Sequence, residues 1–148
     1  MNIEFIKQEA QKRTRLHAGN SSQRTLSVNA EFMGLLGEFV FSEFCGVPVD
    51  LSIKPKGDKG IDFILPNKKT VDVKTFKKAW NLICEDCKPL SADIYVLAKF
   101  NEDKESIDLI GWATKEELEV APKKDFGYGI VNKYIPIQKL HPMKELPL

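Results

Sequence analysis

The chain has 148 residues, of which 43% are apolar and 29% charged, and a net charge of +1. This suits one globular domain with a real core and excludes a disordered or low-complexity protein. No run reaches the roughly 20 apolar residues of a membrane span, Met1-Asn2-Ile3-Glu4 has neither the basic start nor the apolar core of a secretory leader, and three cysteines, an odd number, fit the cytoplasm better than a disulfide framework.

A near-neutral total still leaves room for local basic patches. Lys7, Lys12, Arg13, Arg15 and Arg24 make residues 1–26 basic, with His17 among them. Lys54, Lys56 and Lys59 form a second cluster, and Lys74, Lys77 and Lys78 a third. Phosphate binding needs such patches rather than a high overall charge.

The spacing predicts a helix over 3–16, where Ile3, Ile6, Ala10 and Arg13 share a face, and a loop over 17–22. A stronger helix is predicted over 29–45, with Asn29 as N-cap, Glu31 in the first turn and Gly46 closing the end. Phe32, Leu35, Leu36, Phe39 and Val40 form its apolar stripe. Residues 60–65 and 70–75 read as two strands joined by a turn at Pro66-Asn67-Lys68-Lys69. Residues 80–84 suit a short edge strand, and 85–91 a loop or short helix. Residues 92–100 form a nearly continuous apolar strand, expected where both sheet faces are covered. A polar turn at 101–105 leads to a strand over 107–113, and Thr114 with Glu117 forms a capping box for a short helix. The tail from Phe126 holds Tyr134-Ile135-Pro136-Ile137 without a clear pattern. The order predicts an α/β fold, a central mixed β-sheet flanked by helices.

The chemistry concentrates in the hairpin. Asp62 lies on its first strand, Asp72 and Lys74 on the second, and strand alternation puts Asp72 and Lys74 on one face with Val71 and Val73 on the other. Hard cations such as Mg²⁺ take oxygen ligands, so Asp62, Asp72 and the Val73 carbonyl could share one. Lys74 would then stand beside the metal-bound water, where it could orient the water, help deprotonate it or stabilise charge on phosphorus. Asp62 and Asp72 must share a face for this. A regular four-residue loop would set Asp62 opposite Val73, so an odd-length loop or a bulge is required.

An Asp, a turn and an Asp-x-Lys, preceded by a helix bearing Glu, resemble the PD-(D/E)XK nuclease superfamily and its restriction-endonuclease-like fold, in the manner of small phage-type or archaeal members. The resemblance covers most of residues 29–113. It implies that Glu38, in Gly34-Leu35-Leu36-Gly37-Glu38, ligates or orients a metal, that Asp62 and Asp72 are the two acids, and that Lys74 is the lysine. The proline that names the motif is absent, since Ile61 precedes Asp62. The helical wheel alone favours a different carboxylate, Glu43, which falls near the centre of the stripe set by Phe32, Leu36 and Phe39.

Other motifs carry less. Cys84-Glu85-Asp86-Cys87 is a single CxxC without a second pair, short of the four ligands of a structural zinc. His17 and His141 have no candidate nucleophile, Trp80 and Trp112 read as packing residues, and nothing marks Tyr128 or Tyr134. Gly127-Tyr128-Gly129 lacks the strand-to-helix context of a phosphate loop.

The sequence therefore predicts a single nuclease domain over 1–148: a basic helix and loop over 1–26, a core over 29–113 and a C-terminal extension over 114–148. The expected activity is metal-dependent DNA hydrolysis with Mg²⁺, or Mn²⁺ in its place. Glu38, Asp62, Asp72 and Lys74 are the catalytic set, with metal held by Asp62, Asp72, Val73 and Glu38. Arg13, Arg15, Arg24, Lys54, Lys56, Lys77 and Lys78 would hold the DNA backbone, and no membrane partner is expected. A homodimer is possible, as in a Holliday-junction resolvase, and a non-catalytic nucleic-acid-binding module is the alternative outside enzymes.

Overall fold

Two helices lead into the strands. A computed structural model of the chain describes residues 1–17, 28–52 and 60–148. Helix α1 spans Ile3–His17 and α2 spans Val28–Cys45. Asn2 starts α1, its Oδ1 accepting the Phe5 N–H at 3.1 Å. Gly46 ends α2 at φ 78°, a left-handed conformation that favours glycine, and its N–H donates to the Ser42 carbonyl at 2.9 Å. Because α2 begins at Val28, Asn29 lies inside its first turn rather than capping it.

Strands β1 (Phe63–Ile64), β2 (Thr70–Phe76), β4 (Ile94–Asn101) and β5 (Ser106–Thr114) form a mixed sheet in the order β1-β2-β4-β5. β2 and β4 run parallel, and the outer pairings are antiparallel. Side chains alternate across this sheet, so each central strand feeds two cores. Val71, Val73, Ile94 and Val96 pack with Leu35, Leu36 and Phe41 of α2 and Ile6 of α1. Tyr95 and Leu97 pack with Leu82, Cys84, Leu118 and Ile135 on the opposite face. This double burial explains the unbroken apolar run from Ile94 to Ala98.

The second core lies beneath a smaller antiparallel sheet. β3 (Asn81–Glu85), β7 (Val131–Pro136) and β6 (Lys123–Asp125) pair in the order β3-β7-β6. The stretch expected as an edge strand at 80–84 is thus the edge of a separate sheet. The tail, without a clear pattern in sequence, supplies the partner of β3. Trp80, expected to pack, is 71% exposed, whereas Trp112 is buried. The chain turns between β2 and β3, which leaves the Trp80 side chain outside both cores.

Helix α3 (Lys115–Glu119) opens on the expected capping box. The Thr114 hydroxyl accepts the Glu117 N–H at 3.1 Å, and the Thr114 N–H donates to Glu117 Oε1 at 2.9 Å. The C-terminal segment then crosses β5. Trp112 and His141 exchange backbone hydrogen bonds at 2.9 and 3.0 Å, and Trp112 Nε1 donates to the Pro142 carbonyl. A side chain on Gly111 would meet Leu140 and the His141 carbonyl, so this close crossing requires glycine. Among the described residues, no helix is long and apolar enough to cross a membrane.

Candidate functional site

The β1–β2 hairpin sets the geometry. Phe63 pairs with Val71 and Ile64 with Thr70. Leu65 donates its N–H to the Lys69 carbonyl at 2.8 Å, and Lys68 donates back to the Leu65 carbonyl at 2.9 Å. The loop between them is Pro66-Asn67-Lys68, with Lys68 at φ 74°. This is a three-residue hairpin loop, a turn followed by a left-handed residue. Asn67 Oδ1 accepts the Lys69 N–H at 3.0 Å and braces it. The loop is therefore odd in length, and the paired register ends at Phe63 with Val71, one residue short of Asp62.

Strand β1 is shorter than the sequence suggests, Phe63–Ile64 rather than 60–65. Asp62 lies just outside it and is held by two contacts. Its N–H donates to the Val71 carbonyl at 2.8 Å, and its Oδ2 accepts the Val73 N–H at 2.8 Å. A strand residue's N–H and C=O point to the same side. The Val73 carbonyl is therefore directed toward the side of β2 on which Asp62 sits.

Asp72 is buried, and Lys74 Nζ lies 3.0 Å from its Oδ2. Burial opposes the Lys74 charge, but Asp72, Cys84 and Asp62 outweigh it and hold the lysine pKa well above the ordinary value.

Glu38 and Glu43 part company. Glu38 is buried and Glu43 exposed. The wheel misplaces Glu43 because α2 is apolar on nearly every side, so a stripe drawn through Phe32, Leu36 and Phe39 is only one of several. The buried side rotates along the helix, from Phe32, Leu35 and Leu36 in its first half to Gly37, Glu38 and Phe41 in its second, and leaves Glu43 exposed. Glu38 does not join the two aspartates directly. Its Oε2 accepts from Arg13 Nη1 at 3.1 Å, and Arg13 also donates to the Asp50 carbonyl at 3.3 Å. Burial opposes the Arg13 charge, and Glu38 first among the acids, then Glu31 and Asp62, more than offsets it. Arg13, expected to grip DNA, is therefore a partner of Glu38 and stands within electrostatic reach of Asp62.

Arg15 is exposed on α1, and Lys77 and Lys78 are exposed after β2, with Lys77 3.3 Å from Glu102. Arg24, Lys54 and Lys56 lie outside the described residues. Cys84 points into the second core, where burial pushes its thiol up to about 11, while Cys87 is exposed. Lys133 and Asp86 were not singled out in sequence. Lys133 lies across from Cys84 and 3.2 Å from Asp86. Only the pairing of β3 with the distant β7 reveals them.

Among the described residues, no group of three or more His, Cys, Asp or Glu side chains is placed to hold a metal ion. The hairpin instead offers two carboxylates and a backbone carbonyl, all oxygen donors of the kind hard divalent cations take. No family model, curated protein or solved structure matches this chain.

Proposed function

We propose that this chain is a metal-dependent endonuclease of the PD-(D/E)XK type, with a restriction-endonuclease-like fold, that hydrolyses DNA phosphodiester bonds. The observation that carries this reading is the hairpin that ties Asp62 to β2 beside Asp72, its Oδ2 accepting the Val73 N–H, while Lys74 stands 3.0 Å from Asp72.

The donor set fits Mg²⁺, with Mn²⁺ able to replace it: Asp62, Asp72 and the Val73 carbonyl would hold the ion. A hard cation bound there supplies Lewis acidity to a phosphate oxygen and makes water easier to deprotonate. Asp62 also keeps β1 in register through the Val73 N–H. Lys74, as an ammonium, donates a hydrogen bond to a phosphate oxygen and counters the charge that grows on phosphorus. Arg13 holds Glu38 close to this edge, where the carboxylate can orient water without being a ligand. The proposed place of action is the cytoplasm, where three free thiols persist.

The test is cleavage of single-stranded, duplex, flap and four-way-junction DNA in Mn²⁺, comparing the wild type with Asp72→Asn. Loss of cutting with retained DNA binding supports the reading. Undiminished cutting by the variant sinks it. A wild type that binds DNA and leaves it intact assigns the chain to the non-catalytic binding modules.

A further inference from the structure

The β6–β7 hairpin is the part of the molecule that the hairpin site leaves unexplained. Its two strands are joined by Phe126–Ile130, and Tyr128 at the tip is 86% exposed. An aromatic ring so exposed is normally found on a mobile loop, but this tip is fixed. Asp125 Oδ1 accepts the N–H groups of Gly127, Tyr128 and Gly129 at 2.8, 3.0 and 3.1 Å. Gly127 and Gly129 both take positive φ, 106° and 75°, so that three successive N–H groups can converge on one oxygen. Beneath the tip, Phe126 packs edge-on against Tyr134 at 5.5 Å. The fold thus spends a carboxylate and two glycines on presenting one ring to solvent.

The hairpin belongs to the sheet that covers the Asp72 side of the larger one. Cys84 of β3 packs in one core with Tyr95 and Leu97, the β4 partners of Asp72 and Lys74, and lies within electrostatic reach of both. Cys84 pairs with Lys133, and Lys133 pairs with Lys123. Paired residues share a face, so Lys133 and Lys123 stand on the face of this sheet that Cys84 occupies. Asp86 lies 3.2 Å from both Lys123 and Lys133. Two ammonium groups against one carboxylate leave this group net positive.

We propose that this hairpin holds a single-stranded segment of the nucleic acid: Lys123 and Lys133 contact its sugar-phosphate backbone, and Tyr128 stacks on an unpaired base. The inference rests on the nuclease reading for its ligand and goes beyond it by naming the substrate class, DNA with unpaired nucleotides beside the cleaved bond. Aromatic rings in a positive groove are how single strands are held without sequence preference, because every base offers a π-face. The charge of the hairpin favours a polyanion: Lys123 and Lys133 carry two positive charges against the single carboxylate of Asp86. The tip itself is flanked by Gly127 and Gly129, with Phe126 and Ile130 half-buried and Val131 47% exposed.

Fluorescence anisotropy in EDTA, where no cutting occurs, tests it with a labelled duplex and the same duplex bearing an unpaired tail. Tyr128→Ala should weaken binding of the tailed DNA roughly 5- to 100-fold and leave the blunt duplex nearly unchanged, with Tyr128→Phe close to wild type. Asp125→Ala should give a smaller loss of the same kind, since the ring remains but its tip loosens. Lys123→Gln should weaken both DNAs and reduce the salt slope by about 0.7–0.9. The same affinity for tailed DNA in wild type and Tyr128→Ala overturns the proposal. A dimer in the wild type that Tyr128→Ala converts to monomer, with DNA affinity unchanged, also overturns it and gives the tip to a second copy. Cleavage in Mn²⁺ separates the two readings. Cutting with tip-independent binding fails this inference alone, and tip-dependent binding without cutting fails the nuclease reading alone.

Discussion

Gly37 of α2 lies directly against the hydroxyl of Thr75 on β2, so close that any side chain at position 37 would collide with it. Thr75 Oγ1 is buried without a hydrogen-bond partner among the described residues. This contact seats the helix that carries Glu38 on the strand that carries Asp72 and Lys74. Gly37→Ala should destabilise the fold by about 1–3 kcal/mol through overpacking. Thr75→Ala in the same chain should recover much of that loss by removing the obstructing atom. Urea unfolding of the two single variants and the double variant measures the coupling, and strictly additive effects would show that the two residues do not meet.

Lys74→Met should lose most turnover, on the order of 10²–10³-fold, while Mn²⁺ binding by calorimetry is largely kept.

Several features were legible because their signals are local. The Thr114–Glu117 capping box, the Gly46 stop and the odd-length loop after β1 each depend on residues a few positions apart. The second sheet was not legible. All three residues of β6, Lys123 to Asp125, are exposed and polar, so no alternation marks them as a strand. Their partner β7 pairs with β3 some fifty residues earlier, a contact that periodicity does not encode. Glu38 illustrates a third limit. On a helix apolar all round, the wheel cannot rank two glutamates, and only packing against β2 does so.

Arg13→Ala should act on stability more than on DNA affinity. It leaves the buried Glu38 carboxylate without its guanidinium, a loss of about 1–3 kcal/mol, and Glu38→Gln in the same chain should recover part of it. The exposed Arg15 is the better probe of phosphate contact on α1. Arg15→Ala should reduce the slope of log K against log[salt] by about 0.9 if it meets a phosphate of duplex DNA. An unchanged slope removes α1 from the interface.

Asp93 ties the start of β4 to the start of β2. Its Oδ2 accepts the Thr70 N–H at 2.9 Å and the Thr70 hydroxyl at 3.1 Å. The Thr70 N–H bond is the main cause that holds its pKa below the usual carboxylate value. A carboxylate depressed in the folded state adds stability above its unfolded pKa, near 3.9, and loses it as pH falls through the lower folded value. Asp93→Ala should therefore be less stable than wild type at pH 6, and the gap should close in acid below about pH 4. A gap that persists unchanged at pH 2.5 would show that the contribution is not electrostatic.

Both margins of the four-stranded sheet are cut short for further strands. On one side, β1 offers only Phe63 and Ile64 before Pro66, which has no N–H to give. On the other, the chain folds its own tail over β5, where His141 and Trp112 satisfy each other's backbone groups. The tail thus blocks the Trp112 end of β5, and a strand added to this margin could pair only with the part of β5 nearer Ser106. A second copy extending the sheet would approach from that side, far along the sheet from the strand that holds Asp72 and Lys74.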